Sequence, residues 1–303
     1  METKRLSVIL PIYNGMPYLC DAINSLLNQT FRDFVVYAID NGSTDGTREY
    51  ITALNNEKIR YVRLEEKNLV KALNKGFELV DTPLIARMDA DDISHPLRFE
   101  KQINFLDKNK YIDLVGSNGQ YISAHGNKHF DINVPLTHDK IIQTMTRKRN
   151  AIIHASIMFN SEIIKLYGNY NIKYFPCEDY EFFMRIGNKI RFSNLADRLY
   201  QFRIRNGSIL SHNIKESIKL YYYISYRYSS DYNNSTPNNK SIKNFHLSLI
   251  DQFDIVSVSI YRKGLHYYLN VNKIIGLLYF LLASLINPER LISAIKRKVM
   301  ASD

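Results

Sequence analysis

Leu6-Ser7-Val8-Ile9-Leu10-Pro11-Ile12 is an apolar run of strand length that stops at the polar turn Tyr13-Asn14-Gly15. A near-continuous run of this kind suits a strand buried on both faces. The pattern then repeats. Tyr18–Leu27 has helical spacing, with Leu19, Ile23, Leu26 and Leu27 on one face. Phe34–Ile39 reads as a second strand, followed by Asp40-Asn41-Gly42-Ser43. Thr44–Leu54 is a helix that Thr44 or Asp45 can cap. Ile59–Leu64 is a third strand, Leu69–Leu79 a helix and Leu84–Met88 a fourth strand, which runs into Asp89-Ala90-Asp91-Asp92. Strand–helix alternation at this spacing implies right-handed crossovers and a doubly wound, mostly parallel α/β sheet. Ligands of such sheets bind beyond the carboxyl ends of the strands, where the three polar clusters fall.

Further along, Pro96–Leu106 reads as a helix opening at a proline. Residues 110–210 look mixed, with short strands near Leu114–Gly116, Ile157–Phe159 and Leu199–Ile204 and a helix opening at Glu178. Beyond Ser211 the pattern is helical, broken by a loop over Asn233–Asn239. Ile274–Ile286 is almost wholly apolar, and Arg290, Lys296, Arg297 and Lys298 follow it.

The 303 residues are 45% hydrophobic, enough for a full core. Residues 1–100 hold 12 Lys/Arg against 15 Asp/Glu, and the rest hold 28 against 15, so a net −3 meets a net +13. The basic part calls for an acidic partner or surface, or is a solvated face. Charge alone would allow nucleic acid, but no recognition motif is present and none is expected as a partner. Cys20 and Cys177 have no metal-ligand spacing, and a reducing, cytoplasmic setting is expected for them. The N-terminus lacks the pattern of a signal peptide, and no run approaches the roughly 18 apolar residues of a membrane span.

Three carboxylates in four residues at 89–92 repel one another, and a hard cation such as Mn²⁺ or Mg²⁺ would relieve that. An exposed acidic turn is the plainer alternative. Asp40 at a strand end can accept the N3–H of a uracil, or can simply close a turn. Glu178 and Asp179 open a helix whose dipole favours ionised acids, and either serves as a base or as an ordinary helix-start acid. Arg203 and Arg205 share a face and suit a diphosphate, or solvent. His154 and His212 are expected to be structural.

In order and spacing, Ser7–Asn14, Asp40–Thr47, Asp89-Ala90-Asp91-Asp92 with Pro96, Arg98 and Gln102, and Glu178-Asp179 together resemble family 2 glycosyltransferases of the GT-A fold. Bacterial enzymes of surface polysaccharide and lipo-oligosaccharide synthesis are the nearest type. The resemblance covers about residues 5–210. It implies a GT-A domain over 1–210, with a nucleotide-sugar half to about 110 and an acceptor half from 111. It implies that Pro11, Ile12, Tyr13, Asn14, Asp40 and Asn41 form the nucleoside pocket, with Asp40 on the base. Asp89 and Ala90 then sit by the ribose, Asp89 and Asp91 hold the metal, and Asn74 and Arg87 line the donor cleft. Asp179 is the catalytic base of an inverting transfer of a hexose (galactose, glucose or an N-acetylhexosamine) from a UDP-sugar. The chain departs from the family in three places. Asn41 stands for a second aspartate, Asn68–Asn74 is shortened, and Phe202-Arg203-Ile204-Arg205 lacks a histidine, leaving Arg205 as the cation near the diphosphate. A nucleotidyltransferase would want a glycine-rich basic loop after the first strand, and an inactive binding module would show a damaged base or metal motif. Residues 211–303 are expected to form a helical region that meets an anionic membrane surface or a second subunit. That would leave the enzyme peripheral on the inner face of the cytoplasmic membrane, beside a saccharide or lipid-linked acceptor.

Overall fold

The computed structural model describes residues 4–205, 214–233, 242, 245 and 247–288. Asn206–Ser208, His212, most of the expected loop at 233–239 and the basic residues Arg290 and Lys296–Lys298 lie outside the described residues.

The first half alternates as its sequence implies: β1 (Leu6–Ile12), α1 (Leu19–Leu27), β2 (Phe34–Asn41), α2 (Thr47–Leu54), β3 (Ile59–Leu64), α3 (Leu69–Glu78) and β4 (Leu84–Arg87). These strands are parallel in the order β3-β2-β1-β4. Next come β5 (Ile93–Ser94), α4 (Arg98–Lys108), β6 (Leu114–Ile122), β7 (Lys128–Ile132), α5 (His138–Thr146), β8 (Met158–Asn160), α6 (Glu162–Tyr167), α7 (Glu178–Ile186) and β9 (Phe192–Arg203). They extend the same sheet as β4-β8-β6-β9-β5, with β7 on β6. β8 is antiparallel to both neighbours, whereas β6 and β9 run parallel.

Every residue of β1 and β2 is buried because both faces of the sheet are covered. Period-two alternation sends Leu6, Val8, Leu10 and Ile12 to one core, with Leu19, Ile23 and Leu26 of α1 and Phe99 and Ile103 of α4. Ile9, Val35, Tyr37 and Ile39 face the other, with Val70, Leu73 and Phe77 of α3 and Phe182 and Phe183 of α7. The helix expected from Pro96 instead starts at Arg98. The Pro96 carbonyl accepts from the Thr30 amide, and Arg98 N–H donates to His95 O in a tight turn.

α8 (Ile214–Asn233) closes the second core with Tyr221, Ile224, Tyr228 and Tyr232. α9 (Leu249–Asn270) and α10 (Lys273–Ile286) form a hairpin turning at Val271-Asn272. Gly264 faces Phe280 and Gly276 lies against the Tyr268 backbone, so missing side chains let the two helices close up. Ser257 Oγ donates to Ala283 O at 2.9 Å, and Asn270 ties the hairpin to Ala124 and Ile204. Among the described residues no helix is long and apolar enough to cross a membrane.

Candidate active site

The carboxyl ends of β1, β2 and β4, the start of α7 and the end of β9 supply the site. β1 and β2 end in loops that are stitched together. Asn14, at φ 47°, donates its amide to Ser43 Oγ (2.9 Å) and accepts at Oδ1 from Thr44 N–H (2.9 Å). Gly15 N–H donates to Thr47 Oγ1 and Met16 N–H to Asp45 Oδ2. The helix expected from Thr44 starts at Thr47, and its cap is Gly46 in the left-handed region rather than Thr44 or Asp45; Asp45 Oδ1 instead accepts from both Thr47 N–H and Oγ1–H just ahead of it. Tyr13 stays exposed with the Lys67 ammonium 4.0 Å from its ring centre. Pro11 and Ile12 remain in β1, with Ile12 opposite Asp40 in the register.

Asp40 is fully buried at the end of β2. Oδ1 accepts from Ser43 N–H (2.8 Å), and Oδ2 accepts from Tyr61 Oη–H (2.5 Å) and Arg63 Nη1–H (3.1 Å). Burial raises its pKa, but the hydrogen bonds from Ser43 and Tyr61 and the Arg63 charge outweigh that and hold it below the usual aspartate range. Tyr61 and Arg63 were not foreseen; only their period-two spacing on β3 hints at a shared face. Asn41 accepts from Asn68 N–H at 2.7 Å, which pins the loop before α3.

The acidic cluster after β4 is balanced by arginines. Arg87 is buried and donates from Nη1 to Asp89 Oδ2 at 2.6 Å. Arg205 donates from Nε to Asp91 Oδ2 at 2.6 Å. Burial and the neighbouring Asp91 charge push the Asp89 pKa up against the pull of Arg87 and Arg205. Ala90 sits between the two, half-buried at the edge of the first core. Asp92 turns inward, where Oδ1 accepts from Arg203 N–H at 2.7 Å and Oδ2 has no protein partner. Burial, then Asp91 and Asp89, raises its pKa well above the ordinary value.

Arg203 spends its guanidinium on Asp91 O, Ala124 O and Asp21, and both Arg203 and Arg205 lie over the Tyr18 ring. Arg203 is therefore an internal brace, while Arg205 reaches the acidic pair. Asp89 and Asp91 give two hard oxygen donors. No group of three or more His, Cys, Asp or Glu forms a self-sufficient cage among the described residues. That donor set fits Mn²⁺ or Mg²⁺ completed by substrate phosphates and water.

Asp179 sits in the first turn of α7, and its Oδ1 accepts from Tyr180 N–H at 2.7 Å. Burial pushes its pKa up to about 6 against the pull of that hydrogen bond and of Arg87, with Asp89 adding to the rise. Glu178 beside it is buried with an unpartnered Oε2, and burial together with Asp179 pushes it up to about 8. His154 Nδ1 lies 3.8 Å from Asp179 Oδ2, and Nε2 meets Tyr170 Oη at 2.7 Å. Burial and the Arg87 charge drive the His154 pKa well down, so a neutral ring, not an imidazolium, faces Asp179. Asn74 bonds both the N–H and the carbonyl of Tyr170, so its amide secures α3 to this loop. Arg98, named in the motif without a role, is fully buried. It donates to Arg87 O and Ile157 O between the rings of Phe99 and Tyr200, which ties the end of β4 to the start of β8.

The chain is 33% identical over 210 residues to the O-antigen biosynthesis glycosyltransferase WbnJ of Escherichia coli, covering 67% of this chain and 81% of that protein. It is 31% identical to the uncharacterized glycosyltransferase MJ1057 of Methanocaldococcus jannaschii, covering 74% and 78%. Its fold matches that of S. aureus TarS 1–349 in complex with UDP-GlcNAc, with a TM-score of 0.59 at 18% identity over 97% of this chain and 92% of the other. A longer TarS chain is spanned over 54% of its length. The mannosyltransferase PcManGT of Pyrobaculum calidifontis, in complex with GDP-Man and Mn²⁺, matches with a TM-score of 0.57 at 13% identity over 99% and 81%. The description Glycosyl transferase family 2 fits residues 7–210, and the chain belongs to that family.

Proposed function

We propose that the protein is an inverting hexosyltransferase that uses a divalent cation, takes its sugar from a uridine diphosphate donor and serves cell-surface glycan assembly. The acceptor in this reading is a saccharide or a lipid-linked saccharide, reached from the cytoplasmic face of the membrane. Residues 1–110 would carry the donor, 111–210 the acceptor, and the helical region 211–303 the contact with membrane or a second subunit. The observation that carries the reading is the placement of these groups: Asp89, bonded to Arg87 at 2.6 Å, follows β4, Asp179 opens α7, and the Arg87 and Asp89 charges both reach Asp179. A base, a cation and a metal-ligand carboxylate would then stand together beyond the strand ends.

Asp40, held ionised by Tyr61 and Arg63, still has acceptor capacity for the uracil N3–H. Asp89 and Asp91 would hold Mn²⁺ or Mg²⁺, which when bound neutralises charge gathering on the departing diphosphate. Arg205 keeps a second positive charge at the same place. Asp179 takes the proton from the acceptor hydroxyl as that oxygen attacks the anomeric carbon from the face opposite the diphosphate. One displacement gives inversion. A carboxylate with a pKa near 6 is mostly ionised at pH 7, yet holds a proton better than an ordinary aspartate. The names of the similar proteins support a surface-glycan role and a UDP donor, and the mannosyltransferase complex makes Mn²⁺ and a GDP donor the comparison to run.

The test is acceptor-free donor hydrolysis across UDP-, GDP- and dTDP-sugars, with Mn²⁺ or with EDTA. The expected result is hydrolysis of one UDP-sugar that EDTA abolishes. Silence across the panel, with no donor binding by calorimetry, would overturn the reading.

A further inference from the structure

We propose that the solvent face of α10, widened by α9, is a seat for an anionic lipid bilayer that holds the molecule against the membrane surface without crossing it. This rests on the peripheral-membrane part of the reading above and not on its transfer chemistry. Ile274, Leu277, Leu278, Leu281 and Leu285 recur at helical spacing and form one stripe. Each is 55–71% exposed, and Ile275 and Leu282 broaden the stripe. The opposite face is already occupied, with Gly276, Phe280 and Ala283 packed on α9. A surface helix ordinarily turns polar residues outward; this one turns leucines outward, a patch of the kind that marks an interaction surface.

Length and charge decide what covers it. Fourteen residues span about 21 Å, short of a hydrocarbon core about 30 Å thick, so the helix suits a position along the interface. α10 has no acidic residue. Both acids of α9 are engaged, Asp251 with Lys148, and Asp254 with Tyr222 and Asn287. Lys263 and Lys273 are exposed, and the sequence beyond the described residues adds Arg290, Lys296, Arg297 and Lys298 against Glu289 and Asp303. A second copy would bring the same positive charge to the contact, whereas anionic headgroups complement it. Exposed Tyr261 on α9 suits the headgroup depth where tyrosines gather.

Flotation of the full chain with phosphatidylglycerol–phosphatidylcholine vesicles, against pure phosphatidylcholine vesicles, tests the proposal. The comparison protein carries L277N, L281N and L285N, which alter exposed side chains and leave the packing against α9 untouched. Wild type should float with the anionic vesicles, and the triple variant should bind about 100-fold more weakly, the scale of losing three partly buried leucines. Acceptor-free donor hydrolysis should be equal in the two proteins, so failure of the seat is read separately from failure of the enzyme. Equal flotation of both proteins would overturn the proposal, as would equal binding of wild type to the two lipid mixtures. Wild type that stays unbound, and runs as a dimer in light scattering that the triple variant loses, would assign the face to a second copy instead.

Discussion

Asp179→Asn should abolish sugar transfer and at the same time stabilise the fold. The two carboxylate oxygens are replaced by a group of the same shape whose oxygen can still accept from Tyr180 N–H, so the start of α7 has no reason to change. What is lost is a base, and general-base removal costs about 10²–10⁴-fold in rate. What is gained follows from linkage. Asp179 binds its proton more tightly folded, at about 6, than at its ordinary 3.8. Below about pH 4 it costs the fold nothing; stability falls as pH rises through about 6, and the full cost, on the order of 3 kcal/mol, is present at pH 7. Asparagine carries no such cost, so the melting temperature at pH 7 should rise by several degrees, and the gain should vanish near pH 4. The assays are transfer to acceptor at saturating donor, UDP binding by calorimetry, and thermal melts at both pH values. A variant that turns over within a few-fold of wild type, or one that melts lower at pH 7, would refute the assignment of a strained, ionised base to this position.

In wild type the acid limb of kcat/KM should follow the same group, with the rate about tenfold down at pH 5 and level above pH 7; a limb centred near 4 would contradict the raised pKa. Glu178, pushed up to about 8, still holds its proton where Asp179 titrates, so Glu178→Gln should leave the acid limb near 6 with little loss of plateau rate; a limb that moves to lower pH in the variant would mean that Glu178 is ionised beside Asp179. Asp91→Ala should weaken UDP binding in Mn²⁺ by about tenfold or more, and unchanged calorimetric affinity would count against Asp91 as a ligand. Gly276→Ala places a methyl 2.6 Å from the Tyr268 Cα, so the hairpin must part; a loss of about 1–3 kcal/mol in urea unfolding is expected.

The donor half of the fold was plain in the sequence because β1 and β2 are covered on both faces and read as apolar runs, and the short helices between the strands keep a clear apolar stripe. β1 and β3 were read to the residue. The later half was harder for a physical reason. β9 is twelve residues long with exposed positions in its middle, and β6 carries Gly116, Ser117, Asn118 and Gly119, so neither shows an apolar run. Their stability comes from pairing with each other, which a local reading does not see. The helix at Glu178 was legible, and so was the placement of Asp89 and Asp91 just after β4. The partners were not: the Tyr61 and Arg63 grip on Asp40, the Arg205–Asp91 contact and the neutral His154 beside Asp179 all join residues from different elements. Asn41 at the end of β2 and Asn74 within α3 have their amides on backbone groups of neighbouring loops, Asn68 N–H and Tyr170, contacts between elements that a local reading does not show.

The stitching of the β1–α1 and β2–α2 loops has a consequence for how donor is met. The amides of Asn14, Gly15, Met16, Ser43, Thr44 and Thr47 all donate to side chains within the pair of loops. Irregular backbone of this kind should exchange its amide hydrogens as slowly as a strand, before any nucleotide arrives. The nucleoside pocket proposed above would then be rigid in the free protein, and a donor entering it would be spared the entropy of ordering two loops.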